Sequence, residues 1–277
     1  IIVHGNAEAD LVFDTATDGI EEGTLDGSLT FEFDANDSLL LYANIATGSK
    51  KPGLASGNPV NNSDFVGADS LFIPTEEVLT LEAGFKYEMA NGYINATIYD
   101  MAISDFQNAA FVDGNIAISS FDVDSRGIEL DTYHNLTDEI SFKTGFGFMD
   151  VEDVTNDAEV SGAPDFSANI TLTYESEELI SNFSTRASIN VSHKASHWLN
   201  ATVGEANKYN EIDAVTLLNA NVSFVHLDSG IKVSLFAKNI TDEEYADFSY
   251  NAPGGNNDYM FGVARGRTIG VDASYSF

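Results

Sequence analysis

Residues 165–174 read DFSANITLTY. Phe166, Ala168, Ile170, Leu172 and Tyr174 fall on one side of an extended chain, and Asp165, Ser167, Asn169, Thr171 and Thr173 on the other. A two-residue period of this kind belongs to a strand that separates an apolar from a polar environment. FSTRASINVS (183–192) repeats it, with Phe183, Ala187, Ile189 and Val191 opposed to Ser184, Arg186, Ser188, Asn190 and Ser192. ISFKTGFGF (140–148) sets Ile140, Phe142, Phe146 and Phe148 against Ser141, Lys143, Gly145 and Gly147. Leu79, Leu81, Ala83, Phe85 and Tyr87 oppose Glu82 and Lys86, while Ile231, Val233, Leu235 and Ala237 oppose Lys232, Ser234 and Lys238. In all five segments charge avoids one face. The last residues, GVDASYSF (270–277), keep the alternation up to Phe277.

About eleven such strands are expected, near 24–34, 38–48, 78–89, 92–104, 122–134, 139–151, 165–175, 179–193, 214–226, 230–240 and 264–277. Many reach ten residues, the length of a tilted strand crossing a bilayer, whereas strands of globular proteins cluster near five or six. Tight turns at DAND (34–37), MANG (89–92), LTDE (136–139), ESEE (175–178) and LDSG (227–230) alternate with long polar loops near 49–77, 105–121, 152–164, 194–213 and 241–263. Short turns on one side and long loops on the other describe an outer-membrane barrel, with the turns in the periplasm. No run of about 18 apolar residues exists, so a membrane-spanning reading has to be a barrel. A soluble β-sandwich also alternates, but its strands are shorter and its loops do not sort by length. Since bacterial single-chain barrels have even strand numbers, eleven implies either a twelfth strand within residues 1–20, for which LVF (11–13) is a candidate, or a portion of a larger barrel. The opening residues IIVHGNAEAD hold no Met, basic region or apolar leader, which favours a chain that starts inside a longer gene product.

Twelve Lys and Arg against 44 Asp and Glu give a net charge of -32. Nucleic acid is therefore not an expected partner, because phosphate contacts need a basic surface. With no cysteine, disulfides, thiolate catalysis and Cys-ligated zinc are excluded. No nucleophile, base and orienting group come together in the sequence, so no enzyme and no catalytic residue are expected.

Several stretches resemble the TonB-dependent outer-membrane receptors, the 22-stranded active transporters of Gram-negative bacteria. LLLYANIATGSKKPG (39–53) is similar to the family's strand leading into a Lys-Pro-Gly loop, and LEAGFKYEMANGYINATIYDMAISDFQ (81–107) to its Glu-Ala-Gly strand, hairpin and following strand. SRGIELD (125–131), LFAKNITDEEY (235–245) and GRTIGVDASYSF (266–277) resemble three further elements in the family's order. The resemblance implies an all-β, antiparallel transmembrane barrel domain over residues 1–277, the carboxy-terminal half of 22 strands, in the cell outer membrane. It further implies that the plug domain and TonB box lie ahead of this chain, and that Tyr275 and Phe277 belong to the signal read by the outer-membrane assembly machinery. The implied function is TonB-coupled uptake of a scarce nutrient, a ferric siderophore or other iron complex. Its partners would be outer-membrane lipid and the TonB-ExbB-ExbD complex, acting through the missing amino-terminal region. A passive porin or adhesin barrel of twelve strands is the alternative, and a secreted acidic β-protein the third reading.

Bulky, partly apolar cargo of this kind is held by loop aromatics and a few polar groups. The candidates are Phe65, Phe72, Phe111, Trp198, Tyr209, Tyr250 and Tyr259, with Arg265 and Arg267 as cations for an anionic chelate. Phe106, Phe248, Phe261, Lys50, Lys51 and Lys208 share that setting. Asn239, Thr241, Asp242 and Tyr245 are expected to satisfy loop backbone rather than ligand. Gly127 and Glu129 are expected to face the lumen beside a neighbouring strand. His193 and His197 lie at a strand end and in a loop, a poor setting for metal ligation, and no metal site or cofactor is expected.

Overall fold

The computed structural model describes residues 2–11, 23–54, 72–112, 115–180, 182–198, 211–251 and 259–275. Twelve strands pair in chain order, each antiparallel to the next. They are β1 (Ile2–Leu11), β2 (Gly23–Asn36), β3 (Leu39–Lys50), β4 (Glu76–Met89), β5 (Gly92–Val112) and β6 (Asn115–Asn135), followed by β7 (Ile140–Asp153), β8 (Phe166–Ile180), β9 (Phe183–Lys194), β10 (Val215–His226), β11 (Ile231–Lys238) and β12 (Thr268–Tyr275). A short strand, Ala158–Glu159, folds back onto the end of β7. The order runs from β1 at one end to β12 at the other, so the meander is an open sheet with two edge strands.

Eleven of the twelve are the strands that the alternation predicts. The other, β1, lies within residues 1–20, the range considered for a twelfth strand, and ends at Leu11; residues 12 and 13 fall outside the described ones. The region expected as a polar loop at 105–121 is instead paired backbone, because β5 and β6 continue to Val112 and from Asn115. A bulge accounts for the difference. The register passes from Ile103↔Val123 to Phe106↔Phe121, which breaks the two-residue phase, with Asp105 at φ 53°. Similarly, the expected turn at 175–178 is strand up to Ile180, again through a register shift.

The sheet has no interior of its own. Only Ile73 and Val123 are buried hydrophobic residues among the described ones, whereas Phe31, Leu81, Ile98, Ile128, Phe148, Leu172, Ile189, Leu235 and Val271 are all more than one-third exposed. These side chains share one face. Phe31, Ala43, Ala83, Ile98, Ile128, Phe148 and Phe166 are successive cross-strand partners from β2 to β8. Leu172, Ile189, Ala220, Ala237 and Ile269 continue the surface from β8 to β12. A soluble sandwich would turn this face onto a second sheet; here it is an apolar exterior in which the Thr132 and Thr144 hydroxyls satisfy each other at 2.9 Å. On β4 it runs from Leu79 to Tyr87, about 27 Å along the strand at ~3.4 Å per residue. Tilted by about 40°, that spans roughly 21 Å, close to the apolar band of outer-membrane barrels.

The upper limit of the belt is written in one row. Leu81 pairs with Asp100, Asp100 with Arg126, and Arg126 with Asp150, so the row starts in hydrocarbon on β4 and ends in charge on β7. Hydrogen-bond rows that cross the belt obliquely are what strand tilt requires. Near the opposite rim, the exposed rings of Phe33, Tyr87 and Tyr275 and the Phe183–His226 pair, with centroids 4.8 Å apart, form an aromatic girdle.

Candidate functional site

Side chains on the second face are polar. Every lysine or arginine in the twelve strands stands on that face except Arg126. Near the periplasmic turns it carries the Arg186–Glu175 ion pair at 2.7 Å. On β8 to β10 it becomes a ladder of amides. The Asn190 amide donates to Asn169 Oδ1 at 3.0 Å and to Thr171 Oγ1 at 2.9 Å, and Asn190 Oδ1 accepts from Asn219 Nδ2 at 3.2 Å. Asn219 Oδ1 in turn accepts from the backbone N–H of Asn239 at 3.0 Å. The ladder is not visible as a motif in the sequence.

Three aromatic rings on this wall lie over glycines directly opposite them: Tyr42 over Gly84, Tyr99 over Gly127 and Phe236 over Gly270. A Cβ on Gly127 would lie 2.6 Å from Tyr99 Oη and on Gly84 2.7 Å from Tyr42 Oη. The missing side chains let each ring lie flat instead of projecting into the lumen. Gly127 thus faces the lumen beside a neighbouring strand, as its alternation with Ile128 predicts, and what it meets there is an aromatic ring.

The loop ends of the strands are tied by side-chain clamps. Gln107 Nε2 donates to the carbonyls of Lys51 (3.1 Å) and Pro74 (2.9 Å), while its backbone N–H donates to Glu76 Oε2 at 2.8 Å. Lys50 reaches the same Glu76 carboxylate at 3.5 Å. The Lys-Pro-Gly and Asp-Phe-Gln elements, far apart in sequence, therefore form one corner. Past β11, Asn239 adopts φ 49° and its amide clasps Glu243 twice, accepting from its N–H and donating to its carbonyl, each at 2.9 Å. Asp242 Oδ1 accepts from the backbone N–H of Arg267 at 2.8 Å, and its Oδ2 lies 3.5 Å from the guanidinium. The Asn-Ile-Thr-Asp group accordingly holds backbone, fastening the start of β12 to the end of β11.

The candidate ligand residues are spread over separate pieces. Phe65, Lys208 and Tyr209 lie outside the described residues, as does Phe277. Phe72 belongs to a two-residue ribbon with Gly53–Leu54, and Phe111 lies near the tip of the β5–β6 hairpin, opposite Ile116. Tyr250 and Tyr259 sit in the ribbon of Ala246–Asn251 with Tyr259–Val263. Trp198 pairs with Glu211 in a third ribbon, donates its indole N–H to Glu159, and accepts the Gly162 N–H on its carbonyl at 2.6 Å. Arg265 is exposed and Arg267 is engaged by Asp242. Tyr275 is 61% exposed on the apolar face, near the periplasmic end of β12. His193 bonds Thr216 Oγ1 at 2.8 Å and His197 the carbonyl of Ala195 at 2.9 Å, so the two imidazoles are engaged separately.

An antiparallel meander with an apolar exterior, a polar inner wall, short turns at one rim and long loops at the other is a transmembrane β-barrel of the outer-membrane kind. The family model described as TonB dependent receptor-like, beta-barrel, matches residues 7–240, and the chain belongs to that family of Gram-negative outer-membrane proteins. Among solved structures, the ferric yersiniabactin uptake receptor FyuA from Yersinia pestis is similar at a TM-score of 0.74 and 17% identity, over 92% of this chain and 37% of the receptor. The copper transporter OprC gives a TM-score of 0.74 and 20% identity, over 92% and 40% of the two chains. BauA, the ferric preacinetobactin receptor from Acinetobacter baumannii, gives 0.69 and 16%, over 99% and 40%. At these identities the likeness is one of fold, and the chain spans well under half the length of each. No curated protein sequence matches the chain.

Proposed function

We propose that this chain is the carboxy-terminal part of the barrel of a receptor that imports a scarce nutrient, most simply a ferric siderophore or other iron complex, by TonB-coupled transport. The plug and the TonB box belong to the rest of that receptor, which engages TonB-ExbB-ExbD. Tyr275 and Phe277 serve recognition by the assembly machinery, and cargo is met at the loop rim by Phe65, Phe72, Phe111, Trp198, Tyr209, Tyr250, Tyr259, Arg265 and Arg267. The observation that carries this reading is the open twelve-stranded sheet. Among the described residues its edges, β1 and β12, are paired on one side only, and hydrocarbon does not tolerate an unpaired edge. That favours a larger barrel over a self-contained twelve-stranded porin. FyuA and BauA are named as receptors for ferric yersiniabactin and ferric preacinetobactin, which favours an iron chelate, whereas OprC is named as a copper transporter. Uptake of radioiron-loaded siderophores by cells expressing the full-length gene, with and without TonB, tests it. Import that stops without TonB is expected, and import that continues unchanged would mean passive passage.

A further inference from the structure

The inner wall of β9 to β11 holds a recess of about 500 Å³ lined by Ser188, Asn219, Asn221, Phe236 and Lys238, with the backbone of Ala220 and Ala237 as its floor. That volume lies within the range of small-molecule sites. Phe236 lies flat over Gly270, and the Lys238 ammonium stands 5.8 Å from the centre of its ring. The residues directly across from the recess are uncharged, and the nearest acid on that face of β12 is Asp272, opposite Ser234. The cross-strand partners that lead to this point on the wall are Thr171, Asn190 and Asn219 in one row and Thr173, Ser188, Asn221, Phe236 and Gly270 in the next, with Thr268 opposite Lys238 itself. Of the acids that follow in the chain, Asp242 is engaged by Arg267, and neither Glu243 nor Glu244 forms an ion pair with Lys238. No carboxylate pairs with Lys238 among the described residues.

In a chain with 44 acids and 12 bases, Lys238, like Lys86, Lys143, Lys194 and Lys232, forms no ion pair among the described residues, and its ammonium is open to an added anion. An anionic group drawn into the lumen is repelled along most of its surface and finds here a cation, two side-chain amides and an aromatic face. We infer that the Phe236–Lys238 recess is a lumenal subsite for an organic anion carrying a flat unsaturated ring, its charge on the ammonium and its ring against Phe236 and the Asn219 and Asn221 amides. The inference rests on the import reading for its purpose, since such a subsite lies below the loop rim and would meet cargo inside the barrel.

The test uses the full-length receptor in detergent and 4-fluorobenzoate as probe, followed by fluorine NMR, with the neutral 4-fluorobenzamide as control. Wild type and Lys238→Arg are expected to bind the benzoate, and Lys238→Met to bind it about tenfold more weakly, as loss of a charge-assisted contact predicts. The benzamide should bind more weakly to wild type and be indifferent to Lys238→Met, whereas Phe236→Leu should weaken both probes. Gel mobility before and after heating certifies that each variant is folded. Benzoate binding that survives Lys238→Met, or that matches the benzamide in wild type, would overturn the subsite. So would the absence of binding to wild type, the result expected if another part of the receptor fills the recess. The assay involves no transport, so loss of TonB-dependent import with retained benzoate binding would refute the import reading alone.

Discussion

Gly84 shows how far a single hydrogen atom shapes the inner wall. Tyr42 lies over it and reaches Thr97 Oγ1 at 2.7 Å, bridging β3 to β5 across β4. Gly84→Ala puts a Cβ onto the Ala96 carbonyl oxygen and 2.7 Å from the Tyr42 hydroxyl, so backbone and ring both have to shift and the bridge is lost. A loss of about 1–3 kcal/mol is expected from overpacking, read as a lower urea midpoint of the folded receptor in detergent. Gly145 faces the same lumen, and a Cβ at that position would meet nothing within 4 Å. Gly145→Ala should therefore leave the stability within about 0.5 kcal/mol of wild type, and equal losses at both positions would remove the steric account. Asn239 makes a second case. Its side chain holds both polar groups of Glu243, so Asn239→Ala leaves them without partners and places alanine at a left-handed φ of 49°. The expected cost is about 2 kcal/mol or more, again in the urea midpoint, accompanied by faster proteolysis at 240–267.

At the scale of the strand, the row Leu81, Asp100, Arg126, Asp150 marks where hydrocarbon ends on β5 to β7. Ile128, one step deeper and 52% exposed, should lie in hydrocarbon, and Ile128→Arg should cost about 2–4 kcal/mol. Asp150→Arg, at the boundary, should cost about 0–1 kcal/mol. Equilibrium unfolding from lipid vesicles measures both, and equal costs would move the boundary. The same physics explains which strands are legible in the sequence. Between lipid and lumen each strand is read by two solvents, so its period survives in the residues, and the apolar face of β8 can be named from DFSANITLTY alone. Beyond the boundary both faces meet water and the constraint lapses. That is where β5 and β6 run on past the bulge at Asp105 without a sustained two-residue period, so that the segment reads as a loop. The loop aromatics are illegible for the same reason: nothing periodic tells Trp198, tied to Glu159, from a ring that waits for cargo. The Lys238 recess cannot be read from the sequence at all, because it depends on register across β9 to β12.

For the whole molecule the decisive quantity is the unpaired backbone of its two edge strands. Among the described residues β12 pairs only with β11, so half of the N–H and C=O groups from Thr268 to Ser274 point away from β11 into whatever lies beyond. In water those groups would be solvated; in a bilayer each is costly, and the apolar exterior leaves the sheet no other medium. Curling twelve strands until β1 meets β12 is one remedy, and completing the circle with further strands is the other. They differ in what the isolated chain does. If the larger barrel is right, residues 1–277 refolded alone into detergent or liposomes should give no compact species whose gel mobility shifts on heating, and should not conduct small solutes in a swelling assay. Supplying the remaining strands of the full-length receptor as a second polypeptide should restore the heat-dependent shift. A compact, heat-shifting, solute-conducting species from the chain alone would show that β1 and β12 close on each other, and the passive twelve-stranded pore would replace the energised receptor.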